Sequence, residues 1–427
     1  MRWKSVFAAL LCMLVLVACG RTGPMQTPGE SGESPQLSAT QAPIVPQNLQ
    51  MCTALAGGGV STADGYYYTN LRPDGNLNIQ YLDYATHSNI TLCNQPNCTH
   101  DSDTCNSFIR SNGLVPSLVI VNNKLLIIGG GINTADPAPE DFPYIDSIEL
   151  NGANRSRLYQ ASAAAELGAL LCDDNNFYTI ERKVENANDV PTLAQNFVQI
   201  ELRTGKRNEL AELGADIIYV CDANGSNIYY YSIKPKEGSE SFSDVVVDYY
   251  KYDAQTQEIS LIDSVASDTG KAVTISDGKI YTVDYNAHQV SEKNLSDGSE
   301  KVITDRYPAD DSVAGCSIRY IVDGKIIVDE QHNDTEGNTQ TATKVVDCAT
   351  GSVQNWPLFY NSSVSITPLQ VEILAEQDDC FLVCCGQETL DVDYGDAETY
   401  TMMNSQYATI SKEDFWNGTE NYTYFSR

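Results

Sequence analysis

The residues best suited to chemistry lie in one short stretch, Cys93-Asn94-Gln95-Pro96-Asn97-Cys98-Thr99-His100, which continues to Cys105. Three sulfurs and one imidazole in the spacing C-x4-C-x-H-x4-C form the donor set that Zn(II) takes in closed tetrahedral sites. Pro96 and the Asp101-Ser102-Asp103 turn let the backbone fold back on itself. The spacing is wider than that of zinc fingers, so a disulfide, Cys98 with Cys105 or Cys93 with Cys105, is equally compatible with these residues. A redox or catalytic thiol is a third reading. A c-type haem site would need a vicinal Cys-His pair after C-x-x-C, which is absent.

No other stretch offers a comparable constellation. G-x-S-x-G, H-E-x-x-H and G-x-x-x-x-G-K-[ST] do not occur, so serine esterase, zincin and P-loop chemistry lack their starting motifs. Gly129-Gly130-Gly131 follows an apolar run but leads into a proline-rich stretch without helical period, which makes it a loop. Asp391-Val392-Asp393-Tyr394-Gly395-Asp396-Ala397-Glu398 gathers carboxylates without the spacing of a calcium loop. His87, His288 and His332 stand in polar, turn-like contexts and read as solvated. Cys52, Cys172, Cys221, Cys316, Cys348, Cys380, Cys384 and Cys385 sit mostly in apolar strands, where a thiol acts as a small hydrophobe. Cys384 and Cys385, adjacent on a strand, should point to opposite faces.

The elements that must position these residues are β-strands. Thr274 to Ile303 reads as a four-stranded meander with turns at Asp277-Gly278 and Asp297-Gly298. Looser copies recur about every fifty residues. Their turn cores are Asp64-Gly65, Asn122-Asn123, Asn175-Asn176, Gly225-Ser226, Asp277-Gly278, Asp323-Gly324 and Asp378-Asp379, pairs that tolerate the positive φ of a tight hairpin. A second module follows most copies, a strand ending in Asp before a Thr-containing turn, as in Asp83 to Thr86, Asp253 to Thr256 and Asp347 to Gly351. Units that cannot bury their faces alone but can do so against neighbours predict an all-β propeller of seven four-stranded blades, with six or eight also compatible. Two β-sandwiches would not explain one register kept along the whole chain. The ring is expected to close by a sheet shared between its first and last units, with Thr53 to Val60 or Tyr422 to Phe425 as the closing strand. Ala161 to Leu171, helical by propensity, matches Glu212 to Cys221 and so reads as a loop entering a strand.

The start of the chain carries an address. Arg2 and Lys4 precede an apolar run from Val6 to Ala18, too short to cross a bilayer core of about 30 Å, which reads as a secretion signal over residues 1–18. Leu16-Val17-Ala18-Cys19 resembles a bacterial lipobox. The resemblance implies cleavage before Cys19 and a diacylglyceryl group on its sulfur, a stable anchor. Residues 19–50, with Pro24, Pro28, Pro35, Pro43 and Pro46 among Gly, Ser, Thr and Gln, form a stalk unable to bury a core. The propeller domain is assigned to residues 51–427.

With 57 acidic and 26 basic residues the net charge is −31. That field repels phosphate backbones, so nucleic acid is excluded as a partner, and the lipid is the route to the membrane. The leader, stalk, Tyr-rich repeats and C-x4-C-x-H-x4-C together resemble uncharacterised Gram-positive propeller lipoproteins, which are similar to TolB-like propellers and domains of unknown function. The resemblance implies a surface lipoprotein and transfers no catalytic residues. The expected function is a lipid-anchored extracytoplasmic module that binds or scaffolds a protein or glycan, with either one structural zinc or a disulfide at the Cys/His stretch. The alternative is a propeller glycosidase or lyase with its site at the central channel, which would require converging carboxylates there.

Overall fold

A computed structural model describes residues 48–426, apart from 53–54, 112–113, 132–137, 188–189, 215, 240–243, 309–311, 334–337, 364 and 394–398. The leader, Cys19 and nearly all of the stalk therefore lie outside the described residues. Strands Lys271–Ser276, Lys279–Asp284, Gln289–Asn294 and Glu300–Thr304 pair antiparallel in sequence order, as the Thr274 to Ile303 meander predicts. Among the described residues, six more sheets are built on the same plan. In each, the first strand lies innermost and the fourth outermost, and the result is a seven-bladed β-propeller, with blade 1 over residues 60–91, blade 2 over 117–160, blade 3 over 171–214, blade 4 over 217–266, blade 5 over 271–304, blade 6 over 313–355 and blade 7 over 372–424.

The turn cores picked out in the sequence are the hairpins between first and second strands. Asn122 and Asn123, Asp277 and Gly278, and Asp323 and Gly324 all have positive φ at both positions, the conformation of a type I′ turn. These hairpins and the third-to-fourth-strand turns share one face, here the lower. The second-to-third-strand turns and the connections between blades share the upper face. The lower hairpins also link neighbouring blades. Gly278 N donates to Asp222 Oδ2 at 3.0 Å, and Trp416 Nε1 donates to Asp323 Oδ2 at 2.8 Å. In the second module, the Asp closes its turn by accepting backbone N–H groups: Thr86 N to Asp83 and Thr350 N to Asp347, both at 2.8 Å.

Second strands are apolar on both sides because both sides are covered. Leu125 and Ile127 face blade 1, whereas Leu126 and Ile128 face blade 3. Phe381 and Val383 pack toward blade 6, Leu382 and Cys384 toward blade 1. Cys384 and Cys385 accordingly enter different clusters. Every blade-to-blade interface has its own buried cluster, including the one that joins blade 7 to blade 1 through Leu374, Leu382, Cys384, Tyr66, Tyr68 and Leu82. Many tyrosines are spent here: Tyr66, Tyr178, Tyr230 and Tyr252 are at most 3% exposed.

Two expectations are corrected. First, among the described residues the end blades share no strand. Val60–Ser61 is the first strand of blade 1 and Thr423–Tyr424 the fourth of blade 7, so each unit already owns four strands and none is left to donate. Closure comes instead from the apolar interface and a small C-terminal clasp, in which Asn89 N donates to Ser426 O at 2.8 Å and Ser426 N to His87 O at 2.7 Å. Second, Cys52 and Cys172 are not separate apolar thiols but a disulfide, with Cα atoms 6.4 Å apart. The segment before Cys52 explains the pairing. Leu49, 3% exposed, donates its N–H to Gly225 O on the lower face, and Gln50–Met51 pairs with Leu171–Cys172. This arm then climbs the innermost strand of blade 3 and reaches the upper face at Gly58, whose carbonyl accepts Leu118 N. The folded part thus takes in residues that composition assigns to the stalk.

Candidate metal centre and adjoining cavity

Residues 92–116 connect the outermost strand of blade 1, Ser88–Thr91, to the innermost strand of blade 2, Ser117–Val121, passing first along the outer rim, where Asn106 Nδ2 donates to Gly152 O at 2.8 Å. The blade fixes both ends of the Cys/His stretch. Leu92 N donates to Ile79 O, and Phe108–Ile109 adds to the strand Leu77–Asp83. Between these ends the backbone curls tightly, with positive φ at Asn97 and His100 and a bond from Cys105 N to Ser102 O at 2.9 Å. Arg72, on the neighbouring second-to-third-strand turn, donates to His100 O at 2.7 Å.

The curl brings Cys93, Cys98, His100 and Cys105 together, with one ligand atom from each within 4.8 Å of the others. All three cysteines are free thiols. A tetrahedral zinc with Zn–S bonds of about 2.3 Å sets its sulfurs about 3.8 Å apart, so only a slight contraction separates the four donors from a closed metal shell. His100 Nδ1 lies 3.3 Å from Cys105 Sγ, and Ser107 Oγ lies 3.2 Å from it. Burial opposes ionisation of Cys105, but the hydrogen bonds from Ser107 and His100 outweigh it and bring the thiol down to about 6. At Cys98 the His100 N–H favours the thiolate, yet desolvation and the adjacent Cys105 and Cys93 sulfurs push it up to about 11. Cys105 therefore ionises before Cys98.

The same connector walls a cavity of about 500 Å³ between blades 1 and 2 on the upper face, within the usual range for small-molecule sites. Cys105, Asn106 and Arg110 line one side and Tyr144, Asp146 and Arg157 the other. Sequence reasoning passed over these blade 2 residues. No local pattern sets Asp146 or the arginines of Arg155-Ser156-Arg157 apart from other charged residues on strands.

Elsewhere the residues picked from sequence stay apart from the cluster. His87 and His288 occupy turns with positive φ, hydrogen-bonded to Thr409 Oγ1 and Pro308 O respectively. His332 stands on blade 6 with Nε2 at 3.1 Å from Glu330 Oε2 and Nδ1 at 3.3 Å from Ser312 Oγ, a hydroxyl–imidazole–carboxylate series that no sequence motif marks. Asp391 accepts from Thr401 Oγ1 across its hairpin, while residues 394–398 of the acidic stretch lie outside the described residues. In the centre of the ring, a cavity of about 400 Å³ is lined by Gln50, Met51, Cys52, Leu55 and the inner strands. Glu376 is the one carboxylate among the described residues that line it.

No family model and no curated protein matches the chain. Among solved structures it is similar to an oligogalacturonate lyase in complex with manganese (12% identity over 86% of this chain and 89% of that one, TM-score 0.47). It is also similar to an oligogalacturonate lyase from Vibrio parahaemolyticus (11% identity, 86% and 90% covered, TM-score 0.47). A third is the β-propeller domain of the Trilobed protease from Pyrococcus furiosus (10% identity, 88% and 96% covered, TM-score 0.46). Likenesses at this level say nothing about chemistry at the Cys/His cluster.

Proposed function

We propose that the protein is a lipid-anchored extracytoplasmic binding module, and that Cys93, Cys98, His100 and Cys105 hold a structural zinc that shapes its ligand-binding face. The observation that carries this reading is the convergence of four soft donors in the one connector that also walls the cavity between blades 1 and 2. With every ligand position taken by protein, the metal would serve as a clamp and not as a Lewis acid. Support for an oxidising compartment comes from the Cys52–Cys172 disulfide, and support for the anchor from the lipobox-like Leu16 to Cys19. Metal analysis with thiol titration tests the zinc. One equivalent of zinc per chain, with three thiols becoming reactive on chelation, is the expected result; a metal-free protein, with two of these thiols paired or all three free, would overturn it.

A second, catalytic reading rests on Ser312, His332 and Glu330. Glu330, 3% exposed, can orient the imidazole that faces the exposed Ser312 hydroxyl, the pairing that activates a serine nucleophile. Fluorophosphonate labelling of Ser312 that disappears in His332→Ala would favour it, and absence of labelling would remove it.

A further inference from the structure

We infer that the cavity between blades 1 and 2 is a site for a small organic carboxylate, gripped by Arg157 with Arg110 at its rim. The inference deepens the binding reading above and rests on it. Arg155 and Arg157 both converge on Asp146, whose side chain is 6% exposed. Arg155 is mostly engaged: Nε and Nη2 bond Asp146 Oδ2 at 3.1 and 2.9 Å, and Nη1 bonds the carbonyls of Asn106 and Phe108. It ties blade 2 to the connector with four of its five donors.

Arg157 differs. Its Nε bonds Asp146 Oδ1 and its Nη1 bonds Gln160 Oε1, which leaves donors of the five-donor fork unspent on a side chain 44% exposed. The guanidinium lies 4.0 Å from the centroid of the Tyr144 ring, and Gln160 is itself held by a bond to Phe142 O at 2.8 Å. The fork is therefore preorganised, and a planar carboxylate is the partner it fits in two-point geometry. Arg110 is 75% exposed and, among the described residues, pairs with Asp103, itself 62% exposed, a contact that costs little to exchange.

Charge points the same way. Asp103, Asp141 and Asp146 balance the three arginines, so this lining is neutral in a chain of net charge −31. An anion repelled over most of the surface is tolerated here. The acceptors are also less available than the donors, since Asp146 already serves two guanidiniums and Asp141 Oδ2 accepts Ala138 N. Phe108, Ile109, Leu114 and Tyr144 supply apolar wall for the body of the ligand.

Isothermal titration of the full-length protein in detergent with sodium glucuronate, sodium benzoate and glucose tests the assignment. Saturable binding of either carboxylate and none of glucose is expected, glucuronate identifying a sugar acid and benzoate an apolar acid as the ligand type. Arg157→Ala should weaken it by about tenfold or more, and Arg157→Lys should restore only part because the two-point geometry is lost. Carboxylate binding untouched by Arg157→Ala overturns the assignment while leaving a binding module with its site elsewhere. Glucose binding as tightly as glucuronate overturns the anion preference, and no binding by any of the three overturns the site. The broader binding reading is judged separately, by whether any partner protects the upper face from hydrogen exchange.

Discussion

Asp248, on the strand Val245–Asp253 of blade 4, is 4% exposed and accepts Lys234 Nζ at 2.5 Å and Ser264 Oγ at 2.6 Å. Burial alone would raise its pKa, but the bonds from Lys234 and Ser264 outweigh it and hold the carboxyl below its ordinary value. A carboxyl with a depressed folded-state value contributes stability that is full above its unfolded value, near 3.9, and is lost as pH falls through the folded value. Asp248→Asn should therefore lower stability near neutral pH and flatten the acid limb. Urea unfolding between pH 3 and 7 checks this, and a variant that tracks the wild-type slope below pH 4 would contradict it. Much at this scale was legible beforehand. The positive-φ turn residues and the Asp that closes each second module follow from local chemistry alone. Arg157 and Asp146 were not legible, because what distinguishes them is a cavity formed by two blades.

Among the elements, the N-terminal arm departs most from the sequence pattern. Leu49 to Cys52 contains no turn signal and no long apolar run, yet it adds to the innermost strand of blade 3 and is fixed there by the Cys52–Cys172 disulfide across a separation of 120 residues. Cross-linking so long a loop constrains the unfolded chain, and removing such a bridge lowers stability by about 2–4 kcal/mol. Cys52→Ser with Cys172→Ser should show that loss in chemical unfolding, and reductant should reproduce it in the wild type. If neither changes the midpoint, the arm is not a staple. The Cys/His connector is the contrasting case, since its donors are close in sequence and a few positive-φ residues bring them into one shell.

At the scale of the whole molecule, seven sheets wrap into a ring whose seven interfaces each carry a buried cluster. Among the described residues no strand is exchanged between the ends, so the last interface depends on packing of Tyr66, Tyr68 and Leu82 against Leu374 and Leu382, helped by the clasp at Ser426. The amino-acid sequence by itself determined the blade, its recurrence along the chain and the confinement of Cys93, Cys98, His100 and Cys105 to one short stretch, because hairpin turns, strand alternation and a compact donor set are properties of residues within about fifty positions of one another. Only the tertiary structure decided how the ring closes, which cysteines pair and where Arg157, Asp146, Ser312 and His332 meet their partners. Those outcomes depend on which surfaces are left uncovered after every local unit has formed, and no local pattern of residues records that.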